Sequence, residues 1–392
     1  MSKRVILIIM DSAGVGAMED AHVYNDSGSN TIEHIYNYRG RLDIKNLCSL
    51  GIGCLVNIGC NTGNCIGSYG KMREISPGKD TTTGHWEIAC VPLNFAFPVY
   101  PDGFPKDIIA DFEHSANIRV LGNYASSGTE ILKELGVEHI KTGYPIVYTS
   151  ADSVFQIAAH EDIVGLQKLY EYCRIARSIL KDEHSVARVI ARPFTGKPGD
   201  FKRNNAGRRD FSLLPPAETL LDILKSNGNI VIGIGKIGDL FAHRGITEEI
   251  KTKDNKDGLE KTLNAMSRYS DSKGLIFTNL VDFDMVYGHR RDADGYGLAL
   301  EEFDSMLIRI IDELSAEDIL IITADHGCDP VHKKHTDHTR EYVPLLVYGK
   351  NLKANIDLGI RDTFADCGKT IAEYLQVKNL EYGTSFLGEV LN

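Results

Sequence analysis

The chain has 392 residues, and one hydrophobic core seldom organises a chain of this length, so its length predicts two domains. With 43 basic and 54 acidic residues the formal net charge is −11, which disfavours non-specific binding to nucleic acid or to an anionic membrane. The sequence contains no low-complexity tract that would indicate disorder. An anionic substrate must therefore be captured locally, by metal ions or by clustered Arg and Lys side chains in a cleft.

The apolar segment Val5–Met10 is too short for a signal peptide and is followed by Asp11, so we interpret it as a buried first strand. No other segment approaches the roughly 18 apolar residues that a membrane-spanning helix needs. We therefore expect a cytoplasmic protein without membrane or nucleic-acid partners. The eight cysteines include no CxxC pair, and we expect them to be reduced thiols without a role.

Short apolar segments rich in Val and Ile alternate with segments whose apolar residues recur at helical spacing. This alternation predicts an α/β fold, in which a mostly parallel sheet is flanked by helices. The predicted parallel strands are Val5–Met10, Ile230–Ile234, Leu275–Leu280, Ile319–Thr323 and Val343–Tyr348. The predicted helices are Leu220–Ser226, Asp257–Ser270 and Gly295–Leu314.

The middle of the chain differs from this pattern, because proline and glycine mark breaks at Tyr100–Pro105 and Leu214–Pro216. We therefore predict that residues 98–216 form an inserted α+β cap domain that binds substrate. Residues 1–97 and 217–392 would then form a discontinuous, metal-binding catalytic core.

Polar residues follow three of the predicted core strands at the point where each strand ends. They are Asp11 after the first strand, then Asp282, Asp284 and His289, then Asp325 and His326, with His338 a short loop later. In open α/β sheets these loops build the active site, and Asp and His together suit Mn²⁺, Zn²⁺ or Mg²⁺. Any one of them could instead cap a helix or be a buried hydrogen-bonded group. Their convergence favours a site for two divalent ions.

A threonine-rich segment, Asp80–Glu87, places three adjacent hydroxyls in a turn before a helix that begins near His85. A divalent ion lowers the pKa of a hydroxyl and clamps phosphoryl oxygens, so one of these threonines could be a nucleophile. The alternative is that Thr81, Thr82 and Thr83 simply cap the helix. The pattern does not choose among the three threonines.

Several motifs together resemble the phosphopentomutase family of the alkaline phosphatase superfamily. They are Asp80–Glu87 (DTTTGHWE), Thr323–Gly327 (TADHG), Thr336–Pro344 (TDHTREYVP), Tyr148–Glu161 and Arg188–Phe194. The resemblance covers most of the chain. It implies an alkaline-phosphatase-like core and interconversion of (2-deoxy)ribose 1-phosphate and (2-deoxy)ribose 5-phosphate through a phosphothreonine and a 1,5-bisphosphate.

The resemblance also implies the residues that carry this reaction. One ion would be bound by Asp11, Asp325 and His326, the other by Asp284, His289 and His338, with Thr83 bridging them and carrying the phosphoryl group. The implied cofactors are two Mn²⁺ ions, with a bisphosphorylated sugar as priming activator. The implied partners are small-molecule pentose phosphates.

In the predicted cap, the resemblance points to Asp152 and Arg188 as ribose or phosphate contacts, and Arg208 and Arg209 are further candidates. The alternative for each is ordinary ion pairing. A metal-dependent phosphatase or a cofactor-independent phosphoglycerate mutase would share the core, but the cap motifs favour a pentose. A metal-binding protein without activity would leave Thr83 unexplained.

The segment Gly233–Gly238 fits the dinucleotide pattern GxGxxG, the signature on which an NAD-dependent dehydrogenase would rest. The second acidic strand end that the Rossmann fingerprint requires is missing, since a charged stretch intervenes. We interpret the motif as a tight turn that brings Lys236 to the substrate phosphate. His332 and His335 are expected to be solvated, and Cys328 beside the ligands could soften the site as a thiolate.

Overall fold

The computed structural model describes residues 3–60, 63–150, 152–378 and 380–392. The strands are β1 (Arg4–Met10), β2 (Ser68–Met72), β3 (Leu121–Ala125), β4 (Ile146–Thr149), β5 (Val154–His160), β6 (Arg188–Lys197), β7 (Asp200–Arg203), β8 (Arg209–Ser212), β9 (Ile230–Ile234), β10 (Glu248–Ile250), β11 (Gly274–Leu280), β12 (Asp318–Thr323), β13 (Val343–Tyr348) and β14 (Asp357–Arg361). The helices are α1 (Thr31–Arg39), α2 (Lys45–Leu50), α3 (Thr81–Ile88), α4 (Lys106–Ala116), α5 (Glu130–Thr142), α6 (Leu166–Ile179), α7 (Leu220–Ser226), α8 (Ile237–Leu240), α9 (Asn255–Arg268), α10 (Ala293–Glu313), α11 (Ala365–Tyr374) and α12 (Leu387–Val390).

The chain divides into two compact units. Unit 1 comprises Met1–Phe95 and Pro215–Asn392, and unit 2 comprises Ala96–Leu214. The boundaries predicted from proline and glycine, at residues 98 and 216, lie two residues away from these limits. The catalytic and substrate-binding roles that we assigned to the two parts stay predictions.

Unit 1 is built on an eight-stranded sheet with the order β10-β9-β11-β1-β12-β13-β2-β14. Neighbouring strands are parallel except where β13 pairs with β12 and with β2. Helices α7 and α9 pack against the sheet, and α10 packs on α9 and α1. The predicted α/β fold with a mostly parallel sheet is therefore confirmed.

The predicted core strands lie within one residue of the observed ones, and the predicted helices within two. The predicted direction of Val343–Tyr348 was wrong, because this strand is antiparallel to both neighbours. A continuous apolar segment signals burial on both faces but carries no information about strand direction. Strands β2 and β14 were missed, since their short sequences contain glycine and charged residues.

Unit 2 contains a six-stranded mixed sheet with helices on both of its faces. Along β5, Phe155, Ile157 and Ala159 point into a hydrophobic core shared with α4 and α6. Ala158 points the opposite way, into a smaller core shared with α5. This follows from the alternation of side chains along a strand, so β5 is buried on both sides. Within the described residues of both units, no helix combines the length and the apolar character needed to cross a membrane.

The expectation of reduced cysteines was wrong for one pair. Cys48 and Cys60 form a disulfide, and the sulfur of Cys54 lies 3.7 Å from that of Cys65. All four cysteines belong to α2 and to the loop that leads from it to β2. Their irregular spacing in the sequence matches no motif, so the pairing was not predicted.

A buried ion pair joins the starts of β1 and β12 in unit 1. The guanidinium of Arg4 donates to both carboxylate oxygens of Asp318, at 2.9 and 2.6 Å, and also to the carbonyl of Met266. Both side chains are at most 4% exposed. Removing one partner from such a pair leaves an uncompensated buried charge, which costs more than the pair itself contributes.

We predict that Asp318→Ala lowers the free energy of unfolding of unit 1 by about 3–5 kcal/mol. The matched control is Asp362→Ala, which breaks an ion pair with Arg73 in which the aspartate is 90% exposed and should cost less than about 1 kcal/mol. The fluorescence of Trp86, the single tryptophan, reports the unfolding of this unit in denaturant. Similar losses in the two variants would contradict the prediction.

Candidate functional site

The carboxyl ends of β1, β11 and β12 lie side by side because β1 is the central strand of the three. Ile9 on β1 is in register with Asn279 on β11 and with Thr323 on β12. The loops that follow these strands therefore leave the sheet at the same edge. At this edge the chain places three buried carboxylates, those of Asp11, Asp284 and Asp325.

A single π-helical turn, Phe283–Gly288, follows β11 and positions two of the predicted ligands. Its geometry closes a hydrogen bond from the backbone N–H of His289 to the carbonyl of Asp284, at 3.1 Å. The Nε2 atom of His289 then lies 3.3 Å from a carboxylate oxygen of Asp284. π-helical turns are rare in proteins, and those that occur are often found at functional sites.

Three imidazoles in the site make the same type of hydrogen bond, since the Nδ1 atom of each donates to a backbone carbonyl. The donor and acceptor pairs are His289 and Thr336, His338 and Lys79, and His326 and Gly327, at 2.8, 2.8 and 3.0 Å. A carbonyl only accepts, so the proton is assigned to Nδ1 and each Nε2 presents a lone pair. Backbone carbonyls orient metal-binding histidines in the same way.

The lone pairs of His289 and His338 face each other, with their Nε2 atoms 3.0 Å apart. The Nε2 atom of His338 is also 3.4 Å from a carboxylate oxygen of Asp284. Two facing lone pairs beside a carboxylate repel one another, and a cation between them would convert this repulsion into coordination.

A second group of potential ligands comprises Asp11, Asp284 and His326, each with one donor atom within 4.8 Å of the others. Nε2 of His326 lies 3.5 Å from Asp11 and 3.4 Å from Asp325. The six Asp and His residues that were predicted as metal ligands are thus brought together, and the hydroxyl of Thr83, the seventh predicted ligand, donates to Asp80. Asp284 belongs to both groups, a sharing that the sequence did not indicate.

One oxygen each of Asp11, Asp284 and Asp325 is buried without a hydrogen-bond partner among the described residues. Burial, followed by the charges of Asp325 and Asp284, raises the pKa of Asp11 well above its usual value. Burial also lowers the pKa of His326 to about 4, so this imidazole is neutral and able to coordinate. Buried carboxylates without partners are costly, and this donor set fits divalent cations.

The threonine segment forms the first turn of α3, which is capped by Asp80 and not by a threonine. One carboxylate oxygen of Asp80 accepts from the backbone N–H groups of Thr82 and Thr83 at 3.0 and 3.1 Å. The other accepts from the Thr83 hydroxyl at 2.5 Å. The Thr81 hydroxyl instead lies 3.2 Å from Nε2 of His326.

Gly84 allows α3 to approach the site closely. A Cβ atom at this position would lie 2.1 Å from the carbonyl oxygen of Asp325, so any other residue would push the helix away. The glycine in the DTTTGHWE motif therefore has a packing role.

The sequence reasoning missed two polar residues that support the carboxylates. Asn279 donates to Asp11 and to Nε2 of His85, at 3.0 Å each. His85 is fully buried and contacts Asp325 at 3.1 Å. Asn279 could have been found as the single amide in Leu275–Leu280, a strand that is otherwise apolar except for Thr278.

Lys236 follows β9 in a tight turn, as expected from the sequence. Gly235 has a φ of +83°, and a Cβ there would lie 2.5 Å from the carbonyl of Asn279. The charge of Lys236 is close enough to oppose the rise in the pKa of Asp11. Helix α8, which follows, has only four residues and is too short for the long helix of a dinucleotide-binding unit.

In unit 2, several predicted substrate contacts lie around the carboxylate of Asp210, which is 10% exposed. Arg208 donates to Asp210 twice at 2.9 Å, and Arg188 lies 3.5 Å from Asp210 and 3.8 Å from Asp152. Burial opposes ionisation, yet the charges of Arg188 and Arg208 keep the pKa of Asp210 below its usual value. Arg209 lies apart from this cluster and stacks on Tyr170 and Phe211.

The expectation that His332 and His335 are solvated was wrong for His332, which is 9% exposed. His335 is partly buried and contacts Asp26. The loop that carries both residues packs against the segment that ends at Asp26, a contact between distant parts of the sequence. Burial, followed by the charge of Asp284, raises the pKa of Cys328 well above its usual value and favours the protonated thiol.

The chain is similar to a described enzyme superfamily and to named proteins. A family model described as the metalloenzyme superfamily matches residues 3–379. The phosphopentomutases of Carboxydothermus hydrogenoformans and Acetivibrio thermocellus are each 55% identical to the chain, over 390 and 394 residues. The first alignment covers 99% of both chains, and the second covers 99% of this chain and 100% of the relative.

A solved structure of a protein from Pyrococcus horikoshii has a TM-score of 0.52 and 16% identity, covering 98% of this chain and all of that one. This likeness shows a shared fold. From the family model and the sequence relatives together, the chain belongs to the phosphopentomutase family within the metalloenzyme superfamily.

Proposed function

We propose that the chain is a phosphopentomutase, which interconverts (2-deoxy)ribose 1-phosphate and (2-deoxy)ribose 5-phosphate. The observation that carries the proposal is 55% identity over 99% of the chain to proteins named for this activity. The arrangement in unit 1 supports it, because buried carboxylates, inward-facing imidazoles and threonine hydroxyls meet at one edge of the sheet. That combination suits phosphoryl transfer.

The proposed ligands divide into two sets, which share the edge of the sheet described above. One ion is assigned to Asp11, Asp325 and His326, and the other to Asp284, His289 and His338. The mixture of carboxylates and imidazoles favours Mn²⁺. When bound, the two ions supply positive charge that stabilises the transferring phosphoryl group and lowers the pKa of a nearby hydroxyl.

Thr83 is proposed as the residue that carries the phosphoryl group. Its hydroxyl is held by a 2.5 Å hydrogen bond to Asp80, which leaves the oxygen lone pairs directed away from the carboxylate. Asp80 is therefore suited to hold the hydroxyl proton while Oγ1 bonds to phosphorus. The Thr81 hydroxyl is occupied differently, by contact with His326.

The proposed cycle has two balanced transfers. In the first, the P–O bond at Thr83 breaks as a P–O bond forms on the free hydroxyl of the bound monophosphate, and the proton of that hydroxyl passes through Asp80 to Thr83. The product is the 1,5-bisphosphate. In the second, the Thr83 hydroxyl attacks the other phosphate, and its proton returns through Asp80 to the departing sugar oxygen. A bisphosphorylated sugar would phosphorylate Thr83 initially.

Candidate contacts to the sugar phosphate are proposed within each unit separately. Lys236 lies near Asp11 and supplies a positive charge beside the buried carboxylates. In unit 2, Arg188 and Arg208 share the carboxylate of Asp210, and their fixed guanidinium groups are suited to a phosphate. Asp152 is proposed as a ribose contact.

We predict that Thr83→Ala lowers mutase turnover on ribose 5-phosphate by at least about 10³-fold, because the covalent intermediate cannot form. The wild-type protein treated with a bisphosphorylated sugar should gain the mass of one phosphoryl group, and the variant should not. Ribose 1-phosphate formation and intact mass are the two measurements.

Thr82→Ala is the matched control for Thr83, since it removes a neighbouring buried hydroxyl from the same turn. It should retain turnover within about tenfold of the wild type. Full activity of Thr83→Ala, or a phosphoryl adduct located on Thr81, would refute the assignment. Release of inorganic phosphate in place of the isomeric sugar phosphate would indicate a phosphatase.

We predict that manganese content falls when a ligand of the second ion is removed. Asp284→Ala and His289→Ala each remove a donor from the set assigned to the second ion, and each should lower the bound manganese from two ions per chain toward one. The control is His243→Ala, which removes a half-exposed imidazole paired with Glu249 outside these groups. Elemental analysis after removal of free metal is the measurement, and an unchanged ion content in Asp284→Ala or His289→Ala would contradict the assignment.

We predict that Lys236→Met raises the KM for ribose 5-phosphate by about tenfold while changing kcat less, because the ammonium contributes to ground-state binding of the phosphate. Lys256→Met, at an exposed position, is the control and should leave both constants unchanged. An unchanged KM in the Lys236→Met variant would show that the ammonium of Lys236 interacts with the buried carboxylates and does not bind the substrate phosphate.

A further inference from the structure

A third group of potential metal ligands lies outside the two sets assigned above. It comprises Asp26, His332 and His335, each with one donor atom within 4.8 Å of the others. Asp26 is fully buried, and His332 is 9% exposed. Neither histidine has a role in the proposed reaction. We call these three residues the Asp26 cluster.

His332 has the features of a ligand and lacks those of a structural histidine. Its Nε2 atom is buried and has no hydrogen-bond partner among the described residues. Burial, followed by the charge of His335, lowers the pKa of His332, so the ring is neutral. The carbonyl of Asn25 accepts a hydrogen bond from the imidazole. Since Nε2 is unpartnered, Nδ1 carries the proton and Nε2 presents a buried lone pair, which is costly unless something binds it.

His335 and Asp26 provide the other two donors. Nε2 of His335 donates to a carboxylate oxygen of Asp26 at 2.6 Å, and a bound ion would replace this proton. The imidazole would then carry its proton on Nδ1, which now accepts from the N–H of Asp337. That contact is 3.3 Å long, so its loss costs little.

One positive charge competes with a cation for the Asp26 cluster. The ammonium of Lys79 lies 3.1 and 3.5 Å from the two carboxylate oxygens of Asp26. It is also 3.7 Å from the carboxylate of Asp337, which gives it an alternative partner when Asp26 coordinates an ion. The competition weakens binding but does not block it.

We propose that Asp26, His332 and His335 form a separate binding site for a divalent ion of the zinc class. Two imidazole nitrogens and one carboxylate oxygen match the donors that Zn²⁺ accepts, with water completing the coordination. One of the two sets assigned to manganese, Asp11, Asp325 and His326, is richer in carboxylates, and the other set has the same donor types as the Asp26 cluster. The proposal does not depend on the reaction assigned to the protein.

An ion in the Asp26 cluster would connect two distant parts of the chain. His332 and His335 lie in the loop between the proposed ligands His326 and His338, whereas Asp26 belongs to the N-terminal segment. The second oxygen of Asp26 already accepts from the backbone N–H of Arg340, at 2.8 Å. A bound ion would replace the hydrogen bond between His335 and Asp26, would join His332 to the same contact, and would stabilise the folded state in proportion to its occupancy.

The test counts zinc bound to the metal-stripped full chain after equilibration with Zn²⁺ alone and removal of free metal. His332→Gln and His335→Gln should each bind one ion fewer than the wild type, with affinity at the lost site reduced about 100-fold or more. His243→Gln is the matched control and should bind as many ions as the wild type. Equal zinc content in the wild type and both variants would overturn the proposal.

Two further variants distinguish the Asp26 cluster from the main site. His289→Gln removes a proposed ligand of the main site, so its zinc loss should add to that of His332→Gln in the double variant. A double variant that loses no more zinc than either single variant would overturn the separation of the sites. Trp86 fluorescence confirms that each variant of unit 1 is folded.

Lys79→Met removes the competing ammonium and should tighten zinc binding at the Asp26 cluster about tenfold, as measured by titration calorimetry. If the Asp26 cluster has a structural role and binds no ion, Lys79→Met should produce no gain in zinc affinity. Unchanged zinc affinity in this variant would show that the ion does not bind at Asp26.

Discussion

The site depends on one electrostatic constraint: three carboxylates are buried at adjacent strand ends without enough protein partners to neutralise them. Asp11, Asp284 and Asp325 each keep one buried oxygen unpaired among the described residues. The parallel register of β1 with β11 and β12 enforces their closeness, so the chain cannot separate them without breaking the centre of the sheet. Buried charges of one sign are tolerated only when a counter-charge is present. Divalent cations bound at the proposed ligands would supply this counter-charge and would stabilise the fold of the region.

A second layer of contacts fixes the donors before any ion arrives, and it explains motif residues that perform no chemistry. Arg340 donates to the carbonyls of Ser76 and Gly78 and to the carboxylate of Glu74, which holds the segment leading to α3. The next residue after Gly78, Lys79, supplies the carbonyl that orients His338. Arg340 thus acts on the ligands through the backbone, and an alanine at this position would leave Glu74 buried and unpaired as well as freeing the segment.

The sequence contained the features that periodicity and strand ends can reveal, and it lacked those set by long-range packing. Apolar segments predicted the central strands, and the acidic residues after them predicted a metal site. The direction of the strand Val343–Tyr348 could not be predicted, because a buried strand has the same apolar pattern whether it is parallel or antiparallel to its neighbours. The capping role of Asp80 was missed because the adjacent threonines can also cap a helix, and the three-dimensional contacts show which residue does so. The burial of His332 depends on a contact with residues some 300 positions away, which no local pattern records.

The contacts of the three threonines separate roles that their adjacency in sequence conceals. At the start of a helix successive side chains point about 100° apart, so neighbours in the chain face different surroundings. Thr81 reaches the imidazole of His326 at 3.2 Å, and Thr83 reaches the carboxylate of Asp80 at 2.5 Å. A hydroxyl beside an imidazole lone pair donates its proton to a proposed ligand and competes with the ion for it. A hydroxyl beside a carboxylate can lose its proton there while its oxygen stays available. This difference favours Thr83 as the nucleophile, independently of any family resemblance.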